Sequence, residues 1–389
     1  MPTKPTLNSR IEYLSAPPIP EVQELASAYD ESYGPLIDLS QAVPGYPAPE
    51  ELTSALAEAA SRSDLLGYGR IEGEAELRLA YSDHVSDLHD AQIAASNTHI
   101  TSGCNQAFIA SVMAVAEAGD TVLMTNPCYF NHETTLSMLG IQSAFVDCEP
   151  GNAFLPNIDQ IRTAVAGKKA FALVSPNNPT GTVYPASLLD EIFEACMAAG
   201  CWLIIDETYR DFMDPELRHK LFQNPNWTAG LIQLYSFSKS FCIPGHRLGA
   251  VVAGHQVVDA ISKIMDNIQI CAPRAAQVAV ASTMETLSAW RDGNQQEIAR
   301  RADALRKAFA SMPKWHISAI GAYFAYVKHP FPEHSSNAVA RSLARNVGVS
   351  CVPGDYFGSG QETYLRLAFA NADVETIESI PQRLNAFAL

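Results

Sequence analysis

The stretch Tyr235–Gly249, which reads YSFSKSFCIPGHRLG, decides how this chain is interpreted. Its polar residues Ser236, Ser238, Lys239 and Arg247 lie between two apolar runs, LIQLY and LGAVVAG, and each run is typical of a buried strand. We therefore expect the polar group on a connection between two strands. Burial and a nearby cation lower the pKa of a lysine amine and make it a nucleophile. A nucleophile beside an anion site indicates a phosphate-bearing aldehyde as the ligand.

The spacing S-x-S-K-x4-P-G-x-R resembles the lysine signature of the class I and II aminotransferases, which are fold type I pyridoxal-phosphate enzymes. One alternative takes Ser236 and Lys239 as the S-x-x-K of serine acylases, but no S-D-N or K-T-G element with that role follows. Another takes the lysine as a surface residue in a serine-rich loop, and the motif alone leaves that alternative open. The other motifs of the chain must decide between them.

Composition sets the general class of the protein. A chain of 389 residues with 47% hydrophobic residues can bury a large core and is expected to form two domains. Its net charge of -16 argues against nucleic acid and anionic membranes as partners. The eight cysteines form no CxxC pair, so neither a metal site nor a disulfide framework is predicted. Without a signal peptide or a long apolar run, we expect a soluble, cytoplasmic protein.

From about residue 97 the pattern alternates short apolar runs with helical stretches, which predicts an α/β fold with a mostly parallel sheet wrapped by helices. The predicted strands of this sheet are NTHIT, TVLMT, QSAFVD, KAFALVS, CWLIID, LIQLY and LGAVVAG. A long helical stretch at about 275–312 should lead to a smaller α+β unit. The predicted organisation is an N-terminal arm at 1–48, a large cofactor-binding domain at 49–285 and a small domain at 286–389.

Two turns in the first half of the sheet are candidate cofactor contacts. TSGCNQAF precedes an apolar helix, so backbone amides at Gly103, Cys104 and Asn105 would lie at a helix N-terminus, where an anion is favoured. Such turns also occur in proteins that bind no phosphate. In NPCYFNH, Tyr129 resembles the family aromatic residue whose ring stacks on the cofactor, with His132 behind it.

The next two strands end in residues that match family signatures. SPNNPTG resembles the N-P-T-G element, and the resemblance assigns Asn178 to a hydrogen bond with the cofactor phenolate. CWLIIDETY ends in Asp206, a carboxylate that is costly to bury unless it is paired with a cation such as a protonated pyridine. Tyr209 matches the family tyrosine that also bonds the phenolate. An ordinary turn and a capping aspartate are the structural alternatives.

The substrate side of the site is predicted from two further segments. YLRLAFA resembles the family pattern in which an arginine pairs with the substrate α-carboxylate, which assigns that role to Arg366. The segment Ser40–Pro44 stands where the family usually has glycines, and its Ala42 is a predicted substrate contact. This departure leaves the shape of the substrate pocket open.

The segment LLGYGRIEG resembles a family turn whose tyrosine reaches the cofactor phosphate of the neighbouring subunit. Tyr68 takes that position, which implies a homodimer with composite sites. A dinucleotide loop is excluded because no strand precedes the glycines. His84 and His89 on the following helix do not share a face and are interpreted as solvated residues.

Together these motifs predict a pyridoxal-phosphate-dependent aminotransferase that moves an amino group from an L-amino acid to a 2-oxo acid through a Lys239 internal aldimine. The alternatives on this scaffold are a C–S β-lyase or an aminocyclopropane-synthase-like enzyme, and outside enzymes a catalytically silent regulatory protein. Arg70 and Arg274 are two candidates for binding a distal carboxylate of the substrate, and both are equally suited to an interface.

Overall fold

The computed structural model describes residues 5–12, 14 and 18–389 of the chain. The parts of the predicted N-terminal arm at 1–4, 13 and 15–17 lie outside the described residues. The strands, in chain order, are Ile37–Asp38 (β1), Thr98–Thr101 (β2), Thr121–Asn126 (β3), Gln142–Asp147 (β4), Ala170–Val174 (β5), Trp202–Asp206 (β6), Leu231–Ser236 (β7), Gly249–Ala253 (β8), His316–Gly321 (β9), Phe324–Lys328 (β10), Val349–Ser350 (β11), Val352–Pro353 (β12) and Tyr364–Leu367 (β13).

Helices surround and connect these strands. They are Ser9–Glu12 (α1), Pro18–Ala26 (α2), Glu50–Ser61 (α3), Ala75–His89 (α4), Cys104–Val115 (α5), Phe130–Leu139 (α6), Ile158–Ala164 (α7), Ala186–Ala199 (α8), Trp227–Gly230 (α9), Phe237–Ser240 (α10), His255–Ile268 (α11), Arg274–Thr283 (α12), Ser288–Ala310 (α13), Ser336–Val347 (α14) and Val374–Ala386 (α15).

The central sheet has the strand order β2-β8-β7-β6-β5-β3-β4. The neighbours among β3 to β7 pair in parallel, and β8 runs antiparallel to both β2 and β7. Every residue of β5 and β7 is buried, as expected for strands covered by helices on both faces. The predicted α/β fold with a mostly parallel sheet is therefore confirmed.

The last third of the chain forms a second, antiparallel sheet with the order β12-β13-β10-β9. β1, from the N-terminal arm, pairs in parallel with β11, so the arm is attached to this part of the chain. One apolar cluster contains Ile37 and Leu39 together with residues of α13, α14 and α15. The boundaries at 48 and 285 stay predictions.

The helical stretch predicted at about 275–312 is divided into α12 and α13. Residues Met284 and Leu287 in the break are buried in the core of the large sheet. The guanidinium of Arg291, one turn into α13, donates to the carbonyl of Met284 at 3.1 Å, and this bond satisfies a carbonyl that helix geometry would otherwise leave without a partner. The packing of Met284 and Leu287 and the hydrogen bond from Arg291 set the break between α12 and α13, and no Gly or Pro marks it in the sequence.

Candidate active site

A cavity of about 470 Å³ opens at the carboxyl ends of β5, β6 and β7, at the edge of the sheet where α/β proteins bind ligands. The predicted site residues line it, apart from Gly103 and Tyr68. Those that line it are Ala42, Cys104, Asn105, Tyr129, Asn178, Asp206, Tyr209, Ser236, Ser238, Lys239, Arg247 and Arg366. The fold thus brings together side chains that are spread over more than 300 residues of sequence.

Lys239 reaches the cavity from α10, a single helical turn directly after β7. The Ser236 side chain caps this turn by accepting from the backbone N–H of Ser238 at 3.3 Å. Burial, followed by the charges of Arg247 and Arg366, lowers the pKa of Lys239 to about 8. Its Nζ donates to the carbonyl of Ala42. A sizeable fraction of this amine is therefore neutral, and nucleophilic, slightly above neutral pH.

Asp206, at the end of β6, is 4% exposed and is surrounded by donors. His132 Nε2 lies 3.2 Å from one carboxylate oxygen, and the Thr208 amide and hydroxyl donate to the other at 2.9 and 2.7 Å. Burial raises the pKa of Asp206, but the bonds from His132 and Thr208 outweigh burial and hold the pKa below its usual value. The His132 ring stacks on Phe108, so the carboxylate is fixed in place as an anion.

Arg366, on β13, is buried and lies between two aromatic rings, with its guanidinium carbon 5.0 Å from the Phe324 centroid and 5.3 Å from that of Phe357. One Nη donates to Asn178 Oδ1 at 3.1 Å and the other to the carbonyl of Ser40. Its Nε is buried and has no hydrogen-bond partner among the residues that the structure describes. Because an unpartnered buried donor is costly, this guanidinium is suited to receive an anionic ligand.

The contact with Arg366 also orients Asn178. Its amide oxygen accepts from the guanidinium, so its NH₂ group is the end left to donate elsewhere. Tyr209 lies against the rings of Tyr323 and Phe324, and burial raises the pKa of its hydroxyl well above the usual value. Both residues therefore present neutral donors to the cavity, as a phenolate oxygen requires.

The turn between β2 and α5 has the geometry of an anion site. Gly103 has a φ of 86° and is the N-cap of α5, where no side chain caps the free amides. A β-carbon at Gly103 would lie 2.2 Å from Nη2 of Arg247. The turn and the guanidinium thus approach each other closely, and the amides of Cys104 and Asn105 begin the helix beside them.

Tyr129 precedes α6 and borders the cavity with its ring edge against His132, at a centroid distance of 5.2 Å. Its hydroxyl accepts a hydrogen bond from Asn131 at 2.8 Å. The aromatic residue, the histidine behind it and Asp206 therefore form one packed group. This arrangement holds a ring surface next to the carboxylate.

Of the two predicted site residues that do not line the cavity, Gly103 directly precedes Cys104, which does, whereas Tyr68 lies on a separate exposed loop. Its side chain is 81% exposed, and the neighbouring Leu66 is 79% exposed. Arg274 fixes the base of this loop, because it donates to Glu74 at 2.6 Å and to the carbonyl of Gly67 at 3.2 Å. Arg274 is thus committed to structure, which removes it as a binding group for a distal carboxylate in this chain.

The structure adds lining residues that the sequence analysis did not identify. Pro18 and Ile19 come from the first turn of α2, Phe130 and Asn131 from α6, and Thr208 supports Asp206. Thr208 could have been found, since an Asp followed two residues later by Thr is a common local hydrogen-bonding pattern. The position of α2 over the cavity has no local signal, because it depends on packing against distant helices.

The interpretation of both helix α4 histidines as solvated is wrong. His84 is half-buried with its Nε2 away from solvent, and the difference is larger for His89. It is buried and stacks on His219 with ring centroids 4.6 Å apart, near Glu207. Burial lowers the pKa of His84 and of His89 to about 3. His219 Nδ1 accepts from the Leu221 amide, so its Nε2, 2.9 Å from Glu207, carries the proton. This tautomer leaves His219 no lone pair for a metal ion, so we interpret the group as structural packing of buried polar side chains.

The charges of the cavity fit pyridoxal phosphate. Three cations, Lys239, Arg247 and Arg366, face it, and the anion Asp206 lies at the end of β6. A phosphate dianion suits Arg247 and the Gly103 turn, and a protonated pyridine suits Asp206. The Nε of Arg366 remains available to donate a hydrogen bond to a carboxylate.

Comparisons with known proteins agree with this geometry. The family model described as aminotransferase class I and II matches residues 34–384. Aromatic aminotransferase ISS1 of Arabidopsis thaliana is 29% identical, covering 94% of this chain and 93% of that protein. Valine–pyruvate aminotransferase of Mycobacterium tuberculosis is 28% identical over 90% and 91% of the two chains.

Solved structures agree with these relatives. A Thermus thermophilus aspartate aminotransferase double mutant has a TM-score of 0.90 at 22% identity, covering 99% of this chain and all of that one. An aminotransferase from Mycobacterium tuberculosis has a TM-score of 0.88 at 26% identity, covering 98% and 99%. Among the described residues, no helix is both long and apolar enough to cross a membrane.

Proposed function

This chain belongs to the class I and II aminotransferase family, whose members depend on pyridoxal phosphate, and from that premise we propose which of its residues carry out amino-group transfer. Lys239 is the residue that links to the cofactor and then moves the proton at the substrate α-carbon. The observation that carries this assignment is a buried amine with a pKa near 8 in the same cavity as Asp206 and Arg366. When bound, the cofactor supplies an aldehyde for the amino group and a ring that accepts electrons.

The phosphate is proposed to lie in the cradle formed by residues 103–105, Ser236, Ser238 and Arg247. Two hydroxyls, a guanidinium and the free amides of a helix N-terminus together offer directed donors and positive charge. Arg247 donates to the Pro244 carbonyl at 2.8 Å, which holds the guanidinium beside the turn. The cradle therefore anchors the cofactor independently of the lysine link.

Tyr129 and Asp206, at the end of β6, would hold the ring of the cofactor. Asp206, kept anionic by His132 and Thr208, stabilises a proton on the pyridine nitrogen. Asn178 and Tyr209 donate to the phenolate oxygen. Each of these residues thus biases the charge distribution of the ring at a different atom.

Arg366 is proposed to bind the substrate α-carboxylate as a bidentate partner, and Ala42 to contact the substrate from the arm segment. The aromatic rings on both sides of the guanidinium restrict its orientation. With the carboxylate fixed there, the substrate α-carbon is directed toward Lys239 Nζ, the group that removes and returns its proton.

We also propose a homodimer with composite sites, in which Tyr68 binds the cofactor phosphate of the neighbouring subunit. Two large apolar side chains, Leu66 and Tyr68, are exposed on a loop that Arg274 and Glu74 hold rigid. Such a loop is suited to docking against a second copy. A cytoplasmic location is proposed from the eight cysteines, all of which are free thiols.

The experiment that tests amino transfer is a single half-reaction. With an amino acid and no 2-oxo acid, the loaded enzyme should form one equivalent of 2-oxo acid per site, convert to its pyridoxamine form and stop. Adding a 2-oxo acid should restore the original absorbance. Continuous release of pyruvate and ammonia from a β-substituted amino acid, faster than any transamination, would contradict the proposal and indicate a lyase.

A further inference from the structure

The part of the cavity beyond the cofactor and carboxylate groups is left for the substrate side chain. Its walls come from the first turn of α2, the arm segment and the start of α6. The residues are Pro18, Ile19, Gln41, Val43, Phe130 and Asn131. Ile19 and Phe130 also pack against one apolar cluster that includes Phe357, which supports the wall from behind.

None of these six side chains carries a charge. The two polar ones already have neighbours, since Asn131 donates to Tyr129 at 2.8 Å and Gln41 accepts from Gln23 at 3.4 Å. The cations of the cavity, Lys239, Arg247 and Arg366, are committed to the cofactor and the α-carboxylate. Among the residues that the structure describes, a second carboxylate in this space would therefore be desolvated without a cationic partner from the same chain, which is unfavourable.

Two arginines at or next to the loop that carries Tyr68 do not supply this missing cation within the chain. Arg274 is held by Glu74 and by the carbonyls of Asp64 and Gly67. Arg70 is exposed on the Tyr68 loop. It is the residue through which a neighbouring subunit could introduce a cation, and the experiment below tests this.

We propose that the substrate is an amino acid with an uncharged, apolar side chain, aromatic or large aliphatic, and that Ile19, Val43 and Phe130 select it against dicarboxylic amino acids. The inference rests on the proposed function, because it takes Arg366 as the α-carboxylate site. It goes beyond that function by assigning the wall supplied by the N-terminal arm to substrate choice.

The test compares two inert acids, 3-phenylpropanoate and succinate, by calorimetric titration of the loaded enzyme. Both carry one carboxylate for Arg366, and they differ in the group that enters the remaining space. The expected result is that 3-phenylpropanoate binds about 10- to 100-fold more tightly, the range that corresponds to one missing charge-assisted hydrogen bond. Half-reaction rates with phenylalanine and aspartate should show the same order.

The Ile19→Arg variant places a cation in the wall and should reverse this order, strengthening succinate and weakening 3-phenylpropanoate. The matched control is Ile11→Arg, which makes the same substitution on an exposed helix of the arm and should leave both affinities unchanged. If Ile19→Arg does not fold, Val43→Lys places a cation in the same wall from the segment Ser40–Pro44.

Wild-type enzyme that binds succinate as tightly as 3-phenylpropanoate, or more tightly, would overturn the inference. Loss of that succinate binding in Arg70→Ala would then identify the neighbouring subunit as the source of the cation. Failure of the proposed function gives a different pattern, in which no amino acid completes a half-reaction while 3-phenylpropanoate still binds.

Discussion

At the residue scale, the protonation of Lys239 controls when the site is reactive. Burial disfavours its ammonium form, and Arg247 and Arg366 add repulsion, so the pKa falls from its ordinary value to about 8. A buried lysine without these neighbours would stay protonated to higher pH. The two arginines that we propose as anion sites therefore also lower the pKa of the amine.

This gives a pH prediction for the apoenzyme. The neutral form of Lys239 increases as the pH rises, so the second-order rate of cofactor linkage, measured well below saturating cofactor, should rise with pH through a midpoint near 8. In Arg366→Gln, loss of a cation raises the pKa of Lys239, and the midpoint should move to higher pH. Stopped-flow absorbance measures the rate. Arg300→Gln, an exposed arginine, is the control and should keep the wild-type midpoint.

At the element scale, the turn from β2 into α5 depends on a glycine for two separate reasons. The φ of 86° at Gly103 is a conformation that residues with a β-carbon rarely adopt. In addition, a β-carbon there would lie 2.2 Å from Arg247 Nη2. Gly119 provides a comparison, because its φ of 96° is similar but nothing lies within 4 Å of the added atom.

Replacing each glycine by alanine should separate backbone strain from contact with the cradle. Both variants should lose about 1 to 3 kcal/mol of unfolding free energy from the unfavourable φ. Only Gly103→Ala should also weaken cofactor binding, by about 10-fold or more, because the arginine must move away from the anion site. Denaturant unfolding and cofactor titration measure the two effects. Equal cofactor affinities in the two variants would contradict the cradle assignment.

The strands were predictable from the sequence and the placement of α2 in the arm was not, for a physical reason. Parallel strands such as β5 and β7 are buried on both faces, so they appear as continuous apolar runs in the sequence. The position of α2 is set by contacts with distant residues, including the bond from Tyr356 to Glu21 at 3.0 Å. The placement of Ile19 at the cavity depends in the same way on contacts of α2 with distant residues. The burial of His89 depends on His219, which is also distant in sequence.

At the scale of the whole molecule, each chain places the proposed site residues in or directly beside its own cavity, except Tyr68. Tyr68 is exposed, and the loop that carries it is anchored by Arg274. In a closed two-fold assembly, a loop that reaches the site of the partner in one direction also does so in the other. The composite site is therefore a prediction about the assembly and not about the isolated fold.

Mixing equal amounts of two variants, each of which is impaired on its own, tests this assembly. In a hybrid of Tyr68→Phe and Lys239→Ala subunits, one site contains both changes and the other contains neither. Random exchange should therefore give about a quarter of sites with wild-type cofactor affinity, because half of the dimers are hybrids with one intact site. Cofactor titration of the mixture and of each variant alone measures this fraction. Light scattering that shows a fully active monomer would contradict the composite site.

The most direct test of the central claim, that Lys239 holds the cofactor, is to locate the link chemically. The loaded enzyme is reduced with borohydride, which makes the link permanent, and its peptides are analysed by mass spectrometry. We predict that the phosphopyridoxyl group is found on Lys239, and that Lys239→Ala carries none while exposed Lys263→Ala is modified like the wild type. Modification of a different lysine in the wild type, or undiminished modification of Lys239→Ala, would contradict the account.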